Sequence, residues 1–293
     1  MEHKAGFVNI IGNPNVGKST LMNSLIGEKL SIITAKAQTT RHRIMGILNK
    51  EDYQVVFSDT PGIVNPHYKL QNSMLNAVEE AIKDADMFLL VTEIGETLKS
   101  ESILQHILES EVPVALILNK IDLVQQEEVE AKIAYWKEKA PKAEIIPVSA
   151  LHNFNLEKVM QFILDHLPES PAYYSKEELT DRSMRFFVSE IIREKILLHY
   201  QKEIPYSVEV VIEAYKEEEN LDHISALIYT ERESQKAILI GHKGSALKQV
   251  GSEARKEIEA FSGKKVFLEL HVKVLKNWRN DANMLKRLGY DNK

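Results

Sequence analysis

Apolar residues along the first 167 positions gather in short runs: Phe7–Ile11, Gln54–Ser58, Met87–Val91, Val114–Leu118 and Ile145–Val148. Strand-length runs separated by helix-length segments predict a mainly parallel β-sheet with helices on both faces. The segment Leu167-Pro168-Glu169-Ser170-Pro171 breaks this rhythm, because its prolines end a helix and start a linker. Beyond it the period changes. Met184–Tyr200 carries Phe187, Ile191, Ile192, Ile196 and Leu198 at roughly helical spacing. Val208–Ala214 and His223–Thr230 alternate as strands do, and the short apolar run Ala237–Ile240 reads as a further strand. A helix starting near Ser245 places Leu247, Val250, Ala254, Ile258 and Phe261 three or four positions apart. In the last strand Val266, Leu268, Leu270, Val272 and Val274 share one face. The expected organisation is an α/β domain over 1–170, a linker over 171–182 and an α+β domain over 183–293, with no internal repeat or low-complexity tract.

Composition narrows the class. The 293 residues are 44% hydrophobic and 27% charged, which reads as soluble and globular. No run of eighteen apolar residues predicts a transmembrane segment, and the N-terminal residues lack the layout of a signal peptide. Cysteine is absent, which excludes disulfides, thiolate catalysis and cysteine-ligated zinc and fits a reducing cytoplasm. The ten histidines show no H-x-x-x-H spacing, so a metal hydrolase has little support. The net charge of −6 hides an asymmetry, since residues 231–293 carry 14 Lys+Arg against 8 Asp+Glu. A basic C-terminal third suggests a polyanionic partner, although a solvated helix face would look the same.

Gly12-Asn13-Pro14-Asn15-Val16-Gly17-Lys18-Ser19 follows the first strand and opens a helix bearing Leu21, Leu25 and Ile26. This is the phosphate-binding loop G-x-x-x-x-G-K-[ST]. Its glycines let main-chain N–H groups point at phosphates, and the helix adds its positive end. Lys18 is placed to reach the β- and γ-phosphates and Ser19 to ligate Mg²⁺, with Thr20 next to it. Asn119-Lys120-Ile121-Asp122, directly after a strand, addresses the base. Guanine offers two adjacent donors that one carboxylate, Asp122, can accept. Adenine does not, so ATP would leave a carboxylate unpaired. Asn119 would hold the loop and reach guanine's other edge, and Ser149-Ala150 would complete the base pocket through a backbone N–H. Asp59-Thr60-Pro61-Gly62 follows the strand Gln54–Ser58. Asp59 suits Mg²⁺ through a water, and Gly62 could set its N–H on the γ-phosphate. Thr39 and Thr40 lie in a polar stretch where a threonine could complete the magnesium shell, Thr40 being preferred. An ordinary strand edge is the alternative for both.

These boxes, in this order, resemble those of the translation-factor-related GTPases, and Gln38-Thr39-Thr40-Arg41-His42-Arg43-Ile44 narrows the resemblance to the Era group. The resemblance implies a P-loop G domain that binds GTP and GDP, followed by a type II KH domain. At the position where Ras-like enzymes carry a water-orienting glutamine stands Ile63, whose side chain cannot bond water, so slow intrinsic hydrolysis is expected. The resemblance also matches Asn15 to a P-loop asparagine that accompanies a catalytic potassium ion in related GTPases.

Gly241-His242-Lys243-Gly244 precedes the helix that brings Lys248, Arg255 and Lys256. A G-x-x-G loop at a helix N-terminus lets a sugar-phosphate backbone come close, as in KH domains. About one such pattern is expected by chance in a chain this long, so alone it could be a simple turn. The lysine inside it and the basic helix beyond it favour RNA, and the Era resemblance favours it further. That resemblance implies the 3′ end of 16S rRNA, the precursor of the 30S subunit as the particle, and ribosome assembly as the process. It is also compatible with peripheral attachment at the inner face of the cell membrane, although no anchor or lipidation motif is seen. The competing reading is a signalling switch whose C-terminal domain binds a protein or a membrane surface.

Overall fold

The computed structural model describes residues 3–96 and 101–290. Contacts divide the chain into two compact units, the first running to Asp181 and the second from Arg182, with Tyr68–Leu70 grouped with the second.

The first unit is built on β1 (Lys4–Gly12), α1 (Lys18–Ile26), β2 (Ile44–Asn49), β3 (Tyr53–Asp59), α2 (Lys69–Lys83), β4 (Met87–Glu93), α3 (Glu101–Leu108), β5 (Val114–Asn119), α4 (Gln126–Lys139), β6 (Glu144–Pro147) and α5 (Leu156–His166). The strands form a sheet ordered β2-β3-β1-β4-β5-β6. All neighbours are parallel except β2, which runs antiparallel to β3 from Ile44↔Asp59 to Asn49↔Gln54. Parallel strands covered on both faces read as continuous apolar runs, which is why the sequence signal was strong there. On one face Ile11, Phe88, Leu90, Val114 and Leu116 pack with Val78, Ile107 and Trp136 from α2, α3 and α4. Their neighbours Ile10, Leu89 and Ile117 point the other way and are equally buried, on the face that carries α1. Strand β2 escaped the sequence reading. Its sequence, Ile44-Met45-Gly46-Ile47-Leu48-Asn49, is apolar but interrupted by Gly46, and it follows directly on the polar stretch around Thr40.

The segment expected as a free linker is docked instead. Glu169 bridges to Lys4 and Thr180 to Gly46. The Ile47 N–H donates to the Leu179 carbonyl at 2.8 Å. The buried Gln54 side chain accepts from the N–H groups of Tyr173 and Tyr174 at 2.8 and 3.0 Å. Exposed β-edges invite pairing, and this strap occupies that of β2. Prolines mark the break in regular structure correctly but carry no information about what the extended chain pairs with.

The second unit comprises α6 (Met184–His199), α7 (Ile204–Ser207), β7 (Glu209–Lys216), β8 (Leu221–Thr230), α8 (Glu233–Ile240), α9 (Ser245–Ser262), β9 (Lys265–Val274) and α10 (Ala282–Arg287). Its sheet is ordered β7-β8-β9, antiparallel between β7 and β8 and parallel between β8 and β9. Val188 and Ile192 of α6 and Val250, Ala254 and Ile258 of α9 close over Ile224, Ala226 and Ile228 of β8. The order α–β–β–α–α–β is that of a type II KH domain. The strand expected at Ala237–Ile240 is instead the last half of helix α8. Four apolar residues cannot distinguish the two periods, and the capping interaction of Gln235 with the main chain at Arg232 starts the helix outside the apolar run. Among the described residues no helix is long and apolar enough to cross a membrane.

Candidate functional site

The C-terminal ends of β1, β3 and β5 meet at a cleft of about 580 Å³, where open α/β sheets place their ligands. Pro14, Asn15, Gly17, Lys18, Ser19, Thr20, Thr39, Thr40, Gly62, Asn119, Lys120 and Asp122 line it. Gly17 turns the chain into α1 at φ +96°, and a Cβ there would lie 2.3 Å from Asn119 Nδ2, so both conformation and space require glycine.

Lys18 is buried, and its ammonium donates to the carbonyls of Gly12 at 3.1 Å and Asn13 at 2.7 Å. Burial lowers its pKa to about 8, against the opposing pull of Asp59 and Glu96. Ser19 Oγ donates to Asp59 Oδ2 at 2.6 Å and lies 2.9 Å from Thr40 Oγ1. Asp59 is fully buried. Desolvation raises its pKa, while its bond to Ser19 and the charge of Lys18 oppose the rise. Its Oδ1 has no hydrogen-bond partner. A buried, partnerless carboxylate oxygen beside two hydroxyls fits a hard divalent cation such as magnesium. Among the described residues no group of three or more His, Cys, Asp or Glu could hold a metal, so any cation here would depend on hydroxyl, water and phosphate oxygens. Of the paired threonines, only Thr40 turns its hydroxyl to this cluster. Thr39 also borders the cleft, but its hydroxyl bonds Thr34 Oγ1 and the Lys36 carbonyl, each at 2.6 Å.

At the other end of the cleft Asn119, 2% exposed, ties three segments together. Its Nδ2 donates to the Val16 carbonyl at 2.8 Å, and its Oδ1 accepts the Ala150 N–H at 3.0 Å. That N–H, expected to face the base, is thus engaged by Asn119. A side-chain amide offers a donor and an acceptor together, and here it spends both on neighbouring loops. Lys120 Nζ donates to the Asn15 carbonyl at 2.6 Å, and Ser149 Oγ donates to Asp122 Oδ1 at 2.5 Å. Asn13, Val16, Ser149 and Ala150 therefore support the cleft from beneath. The Thr60 hydroxyl turns to the Ile10 carbonyl at 2.8 Å, and Ile63 packs in the core with Ile11, Val78 and Phe88. Ile32, Ile33, Thr34, Ala35, Gln38, Leu123 and Leu151 also line the cleft, and the sequence reading missed them. Leu123 and Leu151 are each more than 70% exposed. Their signal was available: an apolar residue directly after each base-recognition box.

The second unit carries a groove of about 490 Å³ between α9 and β9. Gly244, Leu247, Lys248, Gly251, Ser252 and Arg255 form one wall, and Val266, Phe267, Leu268 and Leu270 the other. Gly241, His242 and Lys243 form the turn at its mouth, with His242 and Lys243 exposed. Gly244 has φ +78°, and the space around its missing Cβ is open. Val250 belongs to the core, Leu247 lines the groove while also packing against that core, and Ile238 and Ile240 border neither. Gly251, Ser252 and the half-exposed Phe267 were missed, although a glycine inside a helix costs about 1 kcal/mol and marks a position with a reason to be bare.

Comparison with known proteins finds a family for each unit. A family described as 50S ribosome-binding GTPase matches residues 7–120, and the KH domain family matches residues 203–279. GTPase Era of Syntrophus aciditrophicus (strain SB) is 47% identical over 292 residues, covering 98% of this chain and 95% of that protein. Two crystal structures are each 38% identical, with a TM-score of 0.95, and cover 99% of this chain and 100% of theirs. One is a variant of Aquifex aeolicus Era bound to GDP·AlF4⁻. The other is Era in complex with MgGDPNP and nucleotides 1506–1542 of 16S ribosomal RNA. With a P-loop, a guanine box and a KH groove in one chain, and near-complete coverage at this identity, the protein belongs to the Era family of GTPases.

Proposed function

We propose that the cleft binds GTP with Mg²⁺ and hydrolyses it, and that the KH groove binds the 3′ end of 16S rRNA during maturation of the 30S subunit. The observation that carries this reading is one cleft with Lys18, Ser19, Thr40 and Asp59 at one end and Asp122 at the other. Lys18 and the P-loop N–H groups hold the phosphates. Ser19 and Thr40 would hold the metal through their hydroxyls, with Asp59 beside them. Magnesium, when bound, neutralises charge that develops on the phosphoryl oxygens. Asp122 accepts the two donors of guanine. Gly62 gives its N–H to the γ-phosphate. Water adds to the γ-phosphorus, the bond to the bridging oxygen breaks, and the water's protons go to the released phosphate.

Ile63, at the position of the Ras-type glutamine, does not orient that water: it is 4% exposed and packed in the core. Turnover is therefore slow unless another positive charge assists. Asn15 borders the cleft and is the residue to hold a potassium ion there, supplying charge as an arginine finger would. Replacing sodium by potassium is expected to raise kcat at least tenfold, and equal turnover in the two buffers would remove this assignment.

Lys18 also sets a pH dependence. Its pKa of about 8 in the free protein means that above this value it must take up a proton to meet phosphate as a cation. GDP affinity is then constant below pH 8 and weakens above it, by about tenfold between pH 7 and 9. Titration of a fluorescent GDP analogue across that range checks it, and a flat profile would show that Lys18 stays charged throughout.

The RNA assignment rests on the KH groove with its basic lip, Lys243, Lys248 and Arg255. Its test is UV crosslinking in cells with sequencing of the bound fragments. Small-subunit rRNA near its 3′ end is the expected yield, and background RNA alone would leave the GTPase without this partner.

A further inference from the structure

We propose that Glu96, outside every nucleotide-binding box, is a positioning residue that fixes the P-loop turn from which Lys18 acts. This rests on the reading of Lys18 as the phosphate-binding lysine. Glu96 lies just beyond β4, in a turn closed by its N–H on the Glu93 carbonyl at 3.2 Å. Its carboxylate accepts Asn13 Nδ2 at 2.6 Å and the Thr92 hydroxyl at 3.4 Å. Its main-chain carbonyl accepts Lys132 Nζ from α4 at 3.3 Å. It is thus held on both sides, and the only P-loop side chain it grips is that of Asn13, which is 1% exposed.

Asn13 does not border the cleft, so its side chain serves the loop rather than the ligand. The main chain beside it is a junction. The Asn13 carbonyl accepts Lys18 Nζ at 2.7 Å, and the Gly12 carbonyl accepts both Lys18 Nζ and the Ile63 N–H, each at 3.1 Å. One turn therefore meets both the phosphate-binding lysine and the D-x-x-G segment. Glycine at both ends of the loop, Gly12 and Gly17, leaves its orientation weakly fixed by the backbone alone. The carboxylate on Asn13 holds this turn in one register. Burial raises the Glu96 pKa while its bond to Asn13 lowers it, as expected for a carboxylate drawn inward by one specific partner. The distal N–H groups, from Val16 to Ser19, are anchored separately by Asn119 on the Val16 carbonyl at 2.8 Å and by the first turn of α1, so ground-state binding survives without Glu96. The alignment of Lys18 with charge developing on the γ-phosphoryl group does not, and misplacements of this kind appear in kcat.

The test is GTP hydrolysis by the full chain with Glu96→Ala, Glu96→Gln, Asn13→Ala and the double alanine variant. Glu96→Ala and Asn13→Ala are each expected to lower kcat about tenfold with KM within twofold. The double variant should lose no more than either alone, because both break one contact. Glu96→Gln keeps an acceptor oxygen for Asn13 and should stay within about twofold of the wild type when assayed below about pH 7, where Lys18 remains protonated without the Glu96 charge. Unchanged turnover in Asn13→Ala, additive losses, a raised KM at constant kcat, or a Gln variant as impaired as the Ala variant would each overturn the proposal. If Glu96→Ala does not fold, the Asn13→Ala and Glu96→Gln variants decide it. An inactive wild-type protein would instead count against the GTPase chemistry itself.

Discussion

Gly244→Asp is expected to abolish binding of a 16S rRNA 3′-end oligonucleotide while leaving GTP turnover within about twofold of the wild type. Gly244 sits at φ +78° at the head of α9, where the main chain is bare. The G-x-x-G loop works by letting a sugar-phosphate backbone lie against the polypeptide. A side chain here meets no protein atom within 4 Å, so it projects into the space the RNA needs. Aspartate adds a negative charge facing phosphates and removes local positive potential that Lys243 and Lys248 supply. Strain from the left-handed backbone is about 1 kcal/mol and is milder for Asp than for most residues, so the domain should still fold. An affinity loss of at least about a hundredfold is the expected size. It would be read by fluorescence anisotropy, with a melting curve to show that the fold is kept. Unchanged affinity would place the RNA elsewhere.

The second large effect is at the base. Asp122→Asn is expected to weaken GTP about a thousandfold and to make xanthosine triphosphate the better ligand. The Asp122 carboxylate borders the cleft and is oriented by the Ser149 hydroxyl at 2.5 Å. Two charge-assisted hydrogen bonds, each worth about 1.5–3 kcal/mol, are lost or inverted when an amide replaces it. Xanthine carries a carbonyl where guanine carries its amine, so the new N–H finds an acceptor. Competition of GTP, ATP and XTP against a fluorescent nucleotide measures the switch. Retained GTP preference in the variant would mean that another group reads the base.

Much of this protein could be read from its sequence, and the reason is local. The P-loop needs Gly17 and Lys18 within one turn of chain, and Asn119-Lys120-Ile121-Asp122 is a contiguous loop. Such boxes carry their geometry with them. The buried parallel strands announce themselves because both faces demand apolar residues. The α9 face announces itself because Val250, Ala254 and Ile258 must meet one core.

What the sequence left open depends on partners distant in the chain. Thr39 and Thr40 are chemically alike, and only the fold turns Thr40 toward Ser19 and Asp59. The Ala150 N–H looked available until Asn119, 31 positions away, was found accepting from it. Residues 171–182 read as a linker because nothing local shows that β2 presents an edge for Leu179 and Thr180. Glu96 lies in no motif, and its link to Asn13, 83 positions distant, exists only because β1 and β4 are neighbours in the sheet. The sequence by itself determined the ligand chemistry, the two domains and the family. Tertiary structure decided which of several equivalent donors and acceptors face the ligand and which hold the loops, because hydrogen-bond partnership is set by distance in space rather than along the chain.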